Sequence, residues 1–143
     1  VVKRISEDRF VFSASSSHVD GVRFRLEDAR QDRFGRGRVF VHDVTQGFVT
    51  LTATCLKARD PRIAAGLPLQ DLPHMGVAET TLDGAPLHIA RVSLTGDASY
   101  ELSISVRQAQ PLRARVDRAL VPLGGRWIGL EAVMIPRAER GIS

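Results

Sequence analysis

Glu101 stands in an alternating run, Ser99-Tyr-Glu-Leu-Ser-Ile-Ser105. Tyr100, Leu102 and Ile104 fall on one side of such a strand, and Glu101, Ser103 and Ser105 on the other. Just before it comes the turn-forming triplet Thr95-Gly-Asp97, and before that a second strand-like run over residues 86–94. Two strands meeting at that triplet hold Glu101 on the face opposite Tyr100, next to a turn. A carboxylate fixed on a rigid strand only accepts hydrogen bonds. It can take two parallel N–H bonds from a flat heterocycle that offers a ring N–H beside an amino group. A solvated strand residue produces the same pattern. So does a structural ion pair with an arginine such as Arg91 or Arg137.

Other kinds of chemistry have little footing. Cys55 is the only cysteine, which excludes an intrachain disulfide and a cysteine-based metal site. The histidines His18, His42, His74 and His88 lack metal-ligand spacing. There is no Ser-His-Asp or Cys-His constellation and no Gly-x-Gly-x-x-Gly fingerprint. Ordinary structural roles suffice for several residues. Cys55 reads as a small hydrophobe at a strand end, and His88 as a packed or half-exposed strand residue. Trp127 reads as a core anchor between the last two helices, and Arg137 with Glu139 as a helix-end ion pair.

A chain of 143 residues, 43% hydrophobic and 25% charged, has the size and composition of one globular domain, here residues 1–143. Its net charge of +4 comes almost wholly from arginine, since only Lys3 and Lys57 are lysines. Arginine suits planar anions, but these arginines are dispersed and lack interleaved aromatics, so nucleic acid is not an expected partner. No apolar run approaches the ~20 residues of a membrane span. The first residues, Val1-Val-Lys-Arg-Ile5, read as a strand and not as a signal peptide. These features point to the cytoplasm.

The pattern predicts a hairpin from residues 1–5 and 9–13, then a helix from 18 to about 29 after Ser15-Ser-Ser17. An Arg- and Gly-rich loop over 31–37 leads to a strand at 38–42. Asp43-Val-Thr-Gln-Gly47 turns the chain into a strand at 48–54, rich in Val, Thr and Phe. A short helix over 56–65 and a loop over 66–73 follow. Strands at 75–82 and 85–94 flank Asp83-Gly84, a strong two-residue hairpin signal. After the strand at 99–105, residues 107–121 carry one apolar stripe through Leu112, Val116, Ala119 and Leu120, and Gly124-Gly125 stops that helix. A last helix begins at 129 and is interrupted by Pro136. Hairpins interspersed with helices define an α+β fold with antiparallel sheets and flanking helices.

The stretch Arg91-Val-Ser-Leu-Thr-Gly-Asp-Ala-Ser-Tyr-Glu-Leu102 resembles the signature strand pair of the tetrahydrofolate-dependent aminomethyltransferase family. That family includes the glycine-cleavage T-protein and the folate domains of dimethylglycine dehydrogenase and of the sarcosine oxidase large subunit. Ser6-Glu-Asp-Arg-Phe10, Asp43-Val-Thr45, Lys57-Ala-Arg59 and the run from Gly129-Leu-Glu-Ala132 to Gly141 resemble further family segments in the same order. The resemblance covers essentially the whole chain, and Ser-Tyr-Glu with Arg137-Ala-Glu-Arg-Gly141 is most similar to the sarcosine oxidase branch. It implies tetrahydrofolate as cofactor, with Glu101 holding the pterin. Asp97 and Tyr100, in the same motif, and Arg137, at the cleft-closing helix end, are implied as further binding residues.

The resemblance also implies a partial module. The family's N-terminal segment, with its catalytic Asp, and its C-terminal barrel have no counterpart here, so no catalytic residue is assigned. Cys55-Leu56 stands where the family has Gly-Pro, and Asp97 where Glu is usual. Two functions follow as expectations. One is a one-carbon (aminomethyl or methylene) transfer domain, as in the T-protein or sarcosine oxidase. The other is a non-catalytic folate-binding or scaffold subunit of an amine-oxidising complex. A folate-free α+β domain is the plain third possibility. The expected partners are folate and either further copies of the chain or larger oxidase subunits, without nucleic acid or membrane.

Overall fold

The structure, a computed structural model, describes residues 1–35, 37–54, 72–93, 98–139 and 141. Its contacts divide the chain into two units, Val1–Thr45 and Gln46–Ser143. Cys55, the helix expected over 56–65 and the triplet containing Asp97 lie outside the described residues.

In the first unit, β1 (Val2–Arg4) pairs antiparallel with β2 (Phe10–Phe12), placing Lys3 opposite Val11. The connecting turn is closed by the Ile5 amide on the Arg9 carbonyl at 2.8 Å and by the Ser6 hydroxyl on Asp8 Oδ1 at 2.8 Å. Helix α1 (Val19–Arg33) opens with Asp20 in its first turn and ends with Arg30 and Arg33 in its last, the arrangement the helix dipole favours. It runs about a turn beyond its expected end, because residues 30–33 include no Gly or Pro and Arg30 is tied to Glu27 at 2.6 Å. The strand expected at residues 38–42 is not formed. Its Val and Phe favour a strand only where a ladder partner exists, and none is present among the described residues. Phe40 is instead 72% exposed and stacks parallel to the His42 ring.

The second unit is built on a four-stranded antiparallel sheet. Strands β3 (Phe48–Thr54), β4 (Val77–Leu82), β5 (Ala85–Arg91) and β6 (Ser99–Ser105) lie in the order β3-β6-β5-β4. The β4–β5 connection is the expected two-residue turn. Asp83 (φ 49°) and Gly84 (φ 80°) both adopt left-handed backbone, which is what a right-twisted hairpin needs and why Gly serves there. The β5–β6 pairing runs from Leu87 opposite Ile104 to Arg91 opposite Tyr100, so the two runs around residue 97 are neighbours as the pattern predicts.

One face of this sheet is the core. Leu87, Ile89, Tyr100, Leu102 and Ile104 cluster there with Leu82, Leu72 and Leu112, and Leu51 and Val116 pack against them. Leu112 comes from α2 (Ala109–Leu120), whose apolar stripe covers this face and whose Pro111 lies harmlessly in the first turn. Gly124, at φ 70°, ends the short turn after α2. The last helix, α3 (Leu130–Glu139), runs through Pro136 instead of breaking there. Proline gives up its own bond to the preceding turn, and the rest of the helix continues around that one loss. Trp127 is not a core anchor either. It is 45% exposed and lies on α2, its indole N–H donating to Asp117 and its ring facing the Arg113 guanidinium at 5.5 Å. With a polar N–H to satisfy, the indole is served better by a surface carboxylate than by a core that offers no acceptor.

Among the described residues, no helix is long and apolar enough to cross a membrane, and no three His, Cys, Asp or Glu side chains cluster to hold a metal ion.

Candidate functional site

Sheet register decides what surrounds Glu101. It lies on β6, one of the two inner strands, directly between Thr52 of β3 and Ala90 of β5. Paired residues share a face and consecutive residues alternate, so Glu101 points away from the core. Its same-face neighbours along β6 are Ser99 and Ser103. Thr52, Ala90, Ser99 and Ser103 are all short, which leaves the half-buried Glu101 carboxylate as the longest polar group among them.

The next row across this face is Thr50, Ser103, His88 and Glu79, from β3 through β4. The Thr50 and Ser103 hydroxyls are 2.8 Å apart, and His88 Nε2 lies 3.0 Å from Glu79 Oε2. The Phe48 ring sits 5.9 Å from the imidazole. Towards the other end, the fully buried Ser99 hydroxyl donates to Thr54 Oγ1 at 2.8 Å. A greasy face and a hydrogen-bonding face thus share one sheet, and Glu101 belongs to the second.

Of the residues predicted for the site, Tyr100 is completely buried and part of the core, on the opposite face from Glu101. Any influence it has on a ligand therefore passes through the position of β6. Arg137 is half-buried in the last turn of α3, and Asp97 lies outside the described residues. Arg91 pairs with Tyr100 and so shares the core face, where Nη1 donates to the Leu72 carbonyl at 3.1 Å. That placement removes Arg91 as the structural partner of Glu101. His88 and Glu79 were not singled out as a pair from the sequence. The signal was present: a two-residue turn at Asp83-Gly84 sets Glu79 opposite His88.

The first unit has an open groove of about 440 Å³, lined by Arg23, Phe24, Glu27, Asp28 and Gln31 of α1 with Val41 and Asp43. Asp43 is held below the usual carboxylate range, first by the Thr45 hydroxyl and then by the Thr45 amide, which donates to Oδ1 at 2.9 Å. Slight desolvation opposes this, and the Arg23 charge adds to it. None of the residues predicted for the site lines this groove.

The family model described as the GCVT N-terminal domain matches residues 1–143. The sarcosine oxidase subunit alpha of Corynebacterium sp. (strain P-1) is 27% identical over 146 residues, covering 99% of this chain and 15% of that protein. Its counterpart in Corynebacterium sp. (strain U-96) is 25% identical over the same shares. The chain therefore spans about 15% of the length of the curated relatives it matches.

Proposed function

Since this chain belongs to the GCVT N-terminal domain family, domains of the aminomethyltransferase type, we infer that it binds tetrahydrofolate through Glu101 and serves one-carbon transfer. The observation that carries this reading is the placement of a half-buried carboxylate on the polar face of an inner strand, among short side chains. Such a group is held by the backbone ladder on both sides and needs little ordering to accept two N–H bonds from a pterin edge. Asp97 and Arg137 are proposed to complete the contacts, and Tyr100 to brace β6 from the core side.

Tetrahydrofolate, when bound here, would supply the nitrogen nucleophiles for a methylene group, the donor's C–N bond breaking and its amine leaving. The chain's own residues contribute position. Glu101 fixes the pterin edge, and the β3-β6-β5 ladder keeps that carboxylate in place. No side chain is required as a nucleophile, since the folate nitrogens would fill that role. The two relatives are named as alpha subunits, and they are far longer than this chain. The subunit name supports a role within a larger amine-oxidising assembly.

The test is Glu101→Gln, with folate affinity measured by calorimetry and stability by thermal unfolding. The amide keeps the shape but sets a donor against a donor. Losing a charge-assisted bidentate contact costs about 2–4 kcal/mol, or roughly 30- to 1,000-fold in affinity. The melting temperature stays within a few degrees. An unchanged dissociation constant would refute the Glu101 reading, and a lower melting temperature with no change in binding would assign Glu101 to structure.

A further inference from the structure

The polar face carries a second built feature beside Glu101. His88 follows the same face two residues before Ala90, the direct partner of Glu101. Residues so related across antiparallel strands are diagonal neighbours, about 7–8 Å apart and within joint reach of one small ligand. The His88 side chain is only 14% exposed, and it is gripped on two sides: Glu79 at 3.0 Å and the Phe48 ring at 5.9 Å. An imidazole held this way has little freedom to rotate.

In the neutral ring the same contact sets its hydrogen-bonding sense. An ionised carboxylate only accepts, so the Glu79 contact puts the proton of the neutral ring on Nε2. Nδ1 is then an acceptor, and no partner for it is present among the described residues. The face therefore carries two acceptors, the Glu101 carboxylate and His88 Nδ1, on side chains that are diagonal neighbours.

We propose that His88, oriented by Glu79, is a specificity residue that selects the reduced form of the pterin. This rests on the folate reading of Glu101. A reduced second ring carries N–H groups, one of which His88 Nδ1 can accept. A fully oxidised pterin has bare ring nitrogens there, so acceptor faces acceptor. A site built around a fixed hydrogen-bond sense rejects a ligand that cannot meet it far more strongly than an apolar pocket rejects a change of shape.

The experiment compares tetrahydrofolate, kept under anaerobic conditions, with folic acid, by calorimetry on the protein and its variants. The unaltered protein should prefer the reduced ligand by about 10-fold or more. His88→Phe retains the ring plane and the Phe48 contact but loses the acceptor. It should weaken the reduced ligand by about 3- to 10-fold and bring the ratio of the two affinities close to one. His88→Asn, whose amide oxygen can stand near the place of Nδ1, should keep most of the preference. Glu79→Gln no longer dictates the tautomer and should give an intermediate ratio; it serves also if the Phe variant does not fold. Nitrogen-15 NMR of the neutral ring should show the proton on Nε2. A ratio unchanged in His88→Phe, or in Glu79→Gln, while Glu101→Gln still weakens binding overturns the role of His88 and leaves Glu101 standing. Absence of binding by the unaltered protein overturns both.

Discussion

Truncating Leu102 to alanine should separate the two faces of β6 cleanly, because the residue adjoins Glu101 in sequence and is turned away from it. Leu102 is 2% exposed, and in the sheet it lies between Leu51 and Ile89. The substitution removes three carbon atoms from a closed site. At ~0.8 kcal/mol for each buried methylene-sized group, transfer alone costs about 2.4 kcal/mol. The strands on both sides are pinned by backbone ladders and cannot collapse into the gap, so a cavity term brings the total to about 3–4 kcal/mol. For a unit of roughly 100 residues that is a fall in melting temperature of about 12–30 °C. The assay is thermal unfolding by circular dichroism, paired with folate calorimetry at a temperature where both proteins are folded. Affinity should move less than about threefold, since the lost atoms face the core. A fall of under ~5 °C would refute the placement of Leu102 in a tight core.

Two further outcomes are expected. Asp43 should titrate below the usual carboxylate range by NMR, and Thr45→Val should raise it, because the Thr45 hydroxyl is the largest cause of the depression. A carboxyl whose folded pKa is depressed adds stability above its unfolded pKa and loses it as pH falls through the folded value. Any contribution from Asp43 thus vanishes only in acid, and a titration at or above the ordinary value would contradict the Thr45 contact. The relatives are named as subunits, which predicts association: sedimentation should show self-association at high concentration or capture by a larger oxidase subunit, and a clean monomer with no such partner would count against it.

Local signals proved sufficient where they agreed with tertiary context. The alternation of residues 99–105 named both the bounds of β6 and the face of Glu101, and Asp83-Gly84 named the β4–β5 turn. Residues 38–42 misled because strand propensity carries no information about whether a partner strand is available. Pro136 misled because a proline weakens a helix without always ending it. Trp127 misled because its size suggested the core, while its N–H found an acceptor in Asp117 on the surface. The Glu79–His88 contact was missed for a different reason. Neither residue is unusual alone, and only counting outward from the turn brings them opposite each other.

The strict alternation along β6 bears on how such a chain can change over evolutionary time. Tyr100, Leu102 and Ile104 answer to packing, whereas Ser99, Glu101 and Ser103 answer to hydrogen bonding, so substitutions in one set can drift without consulting the other. Insertions and deletions have no such freedom. Losing a single residue within the strand would exchange the two sets at once, sending Glu101 into the interior and a leucine onto the polar face. Point variation in this strand is therefore separable into two independent records, while its length is locked by both together.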